Sequence, residues 1–144
     1  MERPVETLLR GSQFKQLLEN YVRSLRKKYS LKRTEVEVLY YLQHCDDHNT
    51  AKDITASLHM NKGHISQTTD SLCQKGYISA TRDTGDYRVV HYSLTEDARK
   101  VTDEIDSALS KLYSSMFEGI SDEDMKTFRR IASQIASNVT RLMG

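Results

Sequence analysis

The chain has 144 residues, of which 38% are hydrophobic and 28% charged, and its formal net charge is +1. This is the size of one domain, apolar enough to build a core, and no apolar run approaches the ~20 residues that a membrane-crossing helix needs. Near-neutrality argues against a wholly basic nucleic-acid binder, but the charge is unevenly placed. Residues 1–33 hold nine Lys and Arg against three Glu, whereas 34–48 hold four acidic residues and no Lys or Arg. Local basic surface is therefore compatible with the total. Two cysteines, Cys45 and Cys73, cannot make a disulfide framework. Residues 1–6 have no signal-peptide shape, so a cytoplasmic protein is expected.

In chain order, Leu8, Leu9, Phe14, Leu17, Leu18, Tyr21, Val22 and Leu25 recur at helical spacing and predict one amphipathic helix over roughly 5–28. A second helix carries Val36, Val38, Leu39, Tyr40 and Leu42. Thr34 with Glu37 fits a capping box for it, with a start two residues earlier as the alternative. Residues 44–49 (His-Cys-Asp-Asp-His-Asn) read as a polar loop. Thr50 and Asp53 form the capping box of a third helix with Ala51, Ile54 and Leu58 buried. Asn61 caps a fourth helix, which ends at Gly76 and buries Ile65, Thr69 and Leu72, with Thr68 beside them.

Residues 77–82 and 89–94 read as strands joined by Asp83-Thr84-Gly85-Asp86, which is turn material. Val90, Tyr92 and Leu94 should share the half-buried face. Thr95 is then the expected cap of a fifth helix, with Val101, Ile105, Leu109, Leu112, Met116 and Ile120 as its stripe. Ser121 and Asp124 cap a sixth, with Met125, Phe128, Ile131, Ala132, Ile135, Val139 and Leu142 inside. The order helix, turn, helix, hairpin predicts a mainly α (α+β) fold: a winged helix-turn-helix with a two-stranded wing, flanked by long terminal helices. Its lobe spans 31–94 within a single 1–144 domain, with helices at 1–30 and 95–144 placed to join two copies.

With Ile65 and Leu72 at the centre of the buried face, Gly63, Gln67, Asp70 and Gln74 point outward at 100° per residue, flanked by His64, Ser66 and Ser71. That face has no large apolar side chain. Its amide, hydroxyl and imidazole groups match the donors and acceptors of base edges in a major groove, where Gln67 can pair bidentately with adenine. The N-terminal residues of such a helix do most of the reading, which favours Asn61, Lys62, Gly63, His64, Ser66 and Gln67, with Asp70 at the margin. Gly63 costs a helix roughly 0.5–1 kcal/mol relative to alanine, so its presence points to close approach of the backbone to DNA, against the plainer reading of a loose first turn. On the hairpin, Arg82, Asp86, Tyr87 and Arg88 bracket the tip. An arginine there can enter a narrow minor groove, and Asp86 can orient it.

These residues carry a resemblance to the MarR family of bacterial transcription regulators. It runs through Leu31, Val38-Leu39, Ile54, Leu58, Asn61-Lys62-Gly63-His64-Ile65-Ser66, Leu72 and Lys75-Gly76-Tyr77-Ile78. Its most specific part is Arg82, Asp86-Tyr87-Arg88 and Leu94-Thr95-Glu96. The resemblance implies a homodimer joined by the terminal helices, a pseudo-palindromic duplex operator and release by a small-molecule effector or by oxidation. Three positions depart from the family pattern: Lys32 stands where a capping threonine is usual, Ala98 where glycine is frequent, and Tyr87 where arginine is common.

Other readings compete less well. His44-Cys45-Asp46-Asp47-His48 lacks the spacing of a zinc site and Cys73 has no adjacent basic pair, so neither a metal nor a cofactor is expected and redox sensing is a minor alternative. Tyr21, Tyr29, Tyr40, Tyr41 and Tyr113 can line an effector pocket, though core packing explains them more simply. The expected function is a dimeric DNA-binding repressor. The alternative is a winged-helix module for protein contacts, which would need neither the polar helix face nor the arginine-tipped hairpin. No nucleophile–base set or phosphate loop suggests an enzyme.

Overall fold

The structure is a computed structural model and describes residues 4–144; Met1, Glu2 and Arg3, part of the segment judged for a signal peptide, lie outside it. Seven helices and two strands follow in order: α1 (Pro4–Arg10), α2 (Ser12–Tyr29), α3 (Arg33–His44), α4 (Ala51–Leu58), α5 (Lys62–Gln74), β1 (Ile78–Arg82), β2 (Val90–Leu94), α6 (Ala98–Met116) and α7 (Asp122–Met143). The mainly α winged helix-turn-helix architecture expected from the sequence is present.

The chain divides into two compact units, 4–112 of the described residues and 113–144. The core of the first contains Val38, Leu39, Ile54, Ile65, Leu72, Ile105 and Leu112, each at most 1% exposed. Burying side chains of this size stabilises by roughly 1.5–3 kcal/mol apiece, which makes α3, α4, α5 and α6 mutually dependent. β1 and β2 pair antiparallel, Ile78 with Leu94 through Arg82 with Val90. A single bridge between Thr50 and His91, with the Tyr92 N–H donating to the Asn49 carbonyl at 3.0 Å, ties this hairpin to the start of α4.

The caps follow local chemistry. Thr50 and Asp53 make both halves of a capping box. Asn61 Oδ1 accepts from the His64 N–H at 2.7 Å. α5 closes with Gly76 at φ +78°, the Gly76 N–H donating to the Cys73 carbonyl and the Tyr77 N–H to Leu72, both at 3.0 Å. That left-handed position favours glycine and turns the chain into β1.

Four expectations need correction. The first helix is two, because Gly11 takes φ +66° and breaks the periodicity between α1 and α2. α3 starts at Arg33 with Lys32 as its cap residue and no side-chain cap bond, so the earlier start holds. Thr34 instead lies 3.4 Å from the Thr68 hydroxyl, and Glu37 pairs with Arg33. Thr95 does not cap α6. Its hydroxyl donates to the Gly76 carbonyl at 2.6 Å and its N–H to the Tyr77 carbonyl at 3.0 Å, and the helix begins only at Ala98. Finally, no residue of α7 is buried: Phe128, Ile131, Ile135, Val139 and Leu142 are 41–76% exposed, and Met116 and Ile120 are exposed as well. Helical periodicity marks an apolar face without saying which molecule covers it.

One buried charge stands out. Glu35 on α3 is 1% exposed, accepts from the Ser71 hydroxyl at 3.0 Å and pairs with Lys75 at 2.6 Å. Lys75 Nζ also donates to the Ser30 carbonyl at 2.8 Å. Removing one partner of such a pair strands a desolvated charge. Lys75→Met should therefore lower stability by about 2–3 kcal/mol, seen as a lower urea midpoint at unchanged slope, and Glu35→Gln should cost less because it keeps the Ser71 bond.

Candidate nucleic-acid interface

α5 presents the face read from the sequence. Asn61, Lys62, Gly63, His64, Ser66, Gln67 and Asp70 are exposed, while Ile65, Thr68, Thr69 and Leu72 are buried behind them. The two buried threonines return their hydroxyls to their own helix, Thr68 to the His64 carbonyl and Thr69 to that of Ile65, both at 2.9 Å. No polar group on the buried side is thus left to compete for the outward face. A Cβ added at Gly63 would meet only Asn61 Oδ1, at an ordinary 3.5 Å. The fold itself therefore does not require glycine there.

At the wing, the Asp83 carboxylate organises the turn. It accepts the Gly85 and Asp86 N–H groups at 2.8 and 2.9 Å through one oxygen and faces His91 Nε2 at 2.8 Å with the other. The hydrogen bond from His91, then those two N–H groups, hold its pKa below the ordinary aspartate range. Asp86 in turn is lowered by Arg88, whose guanidinium meets both its oxygens at 3.2 and 3.3 Å and whose N–H donates at 3.0 Å. The Arg88 side chain is nonetheless 91% exposed. Arg82 is more occupied: it donates to the Tyr87 carbonyl at 2.7 Å and lies over the Tyr87 ring, which is itself exposed. The wing therefore displays one oriented, open guanidinium, with the other folded into its own base.

Three residues escaped the sequence reading. Lys52 lines a groove of about 460 Å³ with Ala51, Thr55, Ala56 and Lys62, which places two ammonium groups at the α4–α5 corner. Its signal was position, an exposed lysine in the first turn of the helix preceding α5. His91 is half-buried in β2 beside the residues expected to alternate. Glu35 was visible only as part of an acidic stretch.

Cys45 and Cys73 are both pushed up in pKa by burial, the reverse of a reactive thiolate. Among the described residues no cluster of three or more His, Cys, Asp or Glu could hold a metal ion, and no helix is long and apolar enough to cross a membrane.

The family description "Transcriptional regulator SarA/Rot" matches residues 20–105. The chain belongs to the SarA/Rot family of transcriptional regulators. Among solved structures, MarR superposes with a TM-score of 0.75 at 20% identity, over 100% of this chain and 97% of that one. The S. aureus MepR–DNA complex gives 0.75 at 19%, over 95% and 99%. The winged-helix fold expected from the motifs is that of these MarR-type structures. Of curated relatives, the uncharacterized HTH-type transcriptional regulator YpoP of Bacillus subtilis is 26% identical over 91% of this chain and 90% of its own. YwhA, another uncharacterized HTH-type transcriptional regulator from that organism, is 29% identical over 60% of this chain and 63% of its own length.

The Asp53 carboxyl is also held below its ordinary value, first by the Thr50 hydroxyl and then by the Thr50 N–H. A carboxyl lowered by folding stabilises above its unfolded pKa, and that contribution disappears as pH falls through the folded value. The stability gap between the native chain and Asp53→Ala should therefore be full at neutral pH and close below about pH 3.8, measured as urea midpoints across an acid series.

Proposed function

We propose that this SarA/Rot-family regulator acts as a homodimeric, sequence-specific binder of double-stranded DNA, most simply a repressor relieved by a small molecule. The observation that carries this reading is the pairing of two exposed elements. An α5 face with no large apolar group lies beside a wing whose Arg88 is open yet oriented by Asp86. The first offers hydrogen-bonding groups for base edges from Lys62, His64, Ser66 and Gln67. The second offers a cation for a phosphate or a narrow minor groove. Lys52 and Lys62 would add backbone contacts that fix the register. The MepR–DNA complex, similar in fold, supports DNA binding as the function.

Dimerisation is supported by the apolar stripe of α7 and by Val5, Leu8 and Leu9 of α1, all exposed in the single chain. A second copy offers the same stripe in return, as a two-fold interface requires. An effector site is supported by a cavity of about 330 Å³ between α2 and α6, lined among others by Tyr21, Ser24, Leu25, Glu104 and Lys111. That volume lies at the lower end for small-molecule pockets, and the charged groups of Glu104 and Lys111, both on α6, would suit a polar ligand.

Two substitutions separate the proposed roles. Arg88→Ala should weaken binding to every duplex and flatten the log K against log salt slope by about 1. Gln67→Ala should cost about 1–3 kcal/mol at one base pair and relax preference there alone. Gly63→Ala adds a test of close approach: it should raise thermal stability slightly yet reduce affinity, whereas equal affinity would remove the glycine from the interface.

A further inference from the structure

The elements proposed to read DNA carry no net charge. α4 and α5 set Lys52 and Lys62 against Asp53 and Asp70, and the hairpin sets Arg82 and Arg88 against Asp83 and Asp86. Duplex affinity comes largely from cations laid against phosphates. The cations of this lobe stand elsewhere. Between Asn20 and Thr34 there are six Lys and Arg and no Asp or Glu, across the end of α2 and the start of α3. Three of the six are engaged: Arg26 pairs with Glu19, Lys28 with Glu104 at 3.0 Å, and Arg33 lies 3.7 Å from Glu37. Arg23, Lys27 and Lys32 are exposed and meet no acidic group among the described residues.

This corner lies against the reading helix. Thr34 is 3.4 Å from the Thr68 hydroxyl, Glu35 accepts from Ser71, and the Ser30 carbonyl accepts from Lys75 at 2.8 Å. At 100° per residue, Thr68, Ser71 and Lys75 share one flank of α5, about a quarter turn from the outward Gln67 and Gln74. A helix about 10 Å across in a major groove about 12 Å wide has phosphates along its flanks. Leu31, itself buried, pins the corner to the core. Lys32 makes no side-chain cap bond to α3, and Lys27 stands one helical turn before Ser30, so both ammonium groups are free for an external partner. We infer that the α2–α3 corner is a second docking surface for the sugar-phosphate backbone of a duplex, with Lys27 and Lys32 as its contacting cations, an assignment that rests on the DNA-binding reading above. The uncharged face of α5 then selects the sequence, while the corner supplies attraction that every sequence shares.

The test is the affinity of the full chain for a selected duplex across a salt series, read by fluorescence anisotropy. Lys27→Gln with Lys32→Gln removes two cations from each copy. In the proposed homodimer this should flatten the log K against log salt slope by more than about 2, towards the ~3.6 that four full phosphate contacts give. The preferred sequence and the urea midpoint should stay those of the native chain, because neither side chain holds another group. Lys27→Arg with Lys32→Arg should restore the native slope. Lys15→Gln with Lys126→Gln removes the same charge from exposed positions at the start of α2 and on α7, and should leave the slope unchanged. A smaller loss of slope for the corner variant, or an equal loss for the Lys15 and Lys126 variant, would overturn the assignment while leaving DNA binding standing. If the native chain binds no duplex at any salt concentration, the DNA reading fails and the corner assignment falls with it.

Discussion

The ion pair between buried Glu35 and Lys75 is the constraint on which the lobe depends. A carboxylate placed among core side chains is costly unless its charge and lone pairs are met, and here Lys75 and Ser71 meet them from the last turn and cap of α5. Apolar contacts at Ile65 and Leu72 hold α5 against the core but are non-directional, and a helix held only by them can slide or rotate. The Glu35 contacts fix the far end of α5 in rotation and in register. Lys75 extends the same fixation to the α2–α3 turn through the Ser30 carbonyl. Asn61 caps the near end. The outward face between these two anchors is thus set by the Glu35 contacts on the inward side and by the Asn61 cap at the helix start, which leaves the polar groups from Lys62 to Asp70 available for an external partner.

The wing is organised by a different economy of contacts. Its two short strands bury little, since β1 has only Ile78 buried, so its shape rests on polar bonds. Asp83 gathers the turn and Asp86 orients Arg88. Thr95, lost as a helix cap, instead staples the end of β2 to Gly76 at the foot of α5. Both elements of the proposed interface thereby hang from the C-terminal end of one helix, and a change at Glu35, Lys75 or Gly76 should be felt at the wing as well as at α5.

Much of this was legible in the chain. The Thr50–Asp53 and Asn61 caps, the Gly76 stop, the α5 faces and the Asp83–Asp86 turn all arise from contacts within a few residues, which local spacing encodes. Apart from the local break at Gly11, the misreadings concern partners distant in sequence. Thr34 and Thr95 have the right residue types for caps, but tertiary partners, Thr68 and Gly76, claim their hydroxyls. Glu35 and His91 looked like ordinary polar residues because their partners lie 40 and 42 residues away at the longest reach. The α7 stripe was read correctly as apolar and wrongly as internal, because periodicity cannot distinguish a core from a surface offered to a second chain. The roles of individual α5 and wing residues on DNA rest on the proposed function.

The most direct measurement is selection of random duplexes by the full chain, followed by sequencing of the bound pool. The proposed homodimer, two copies joined through their terminal helices and each presenting α5 and a wing, predicts an enriched inverted repeat whose half-site centres lie about one helical turn apart, roughly 10–10.5 base pairs or a multiple of it. A pool with no enriched sequence, or one enriched only for a solitary half-site, would contradict the account.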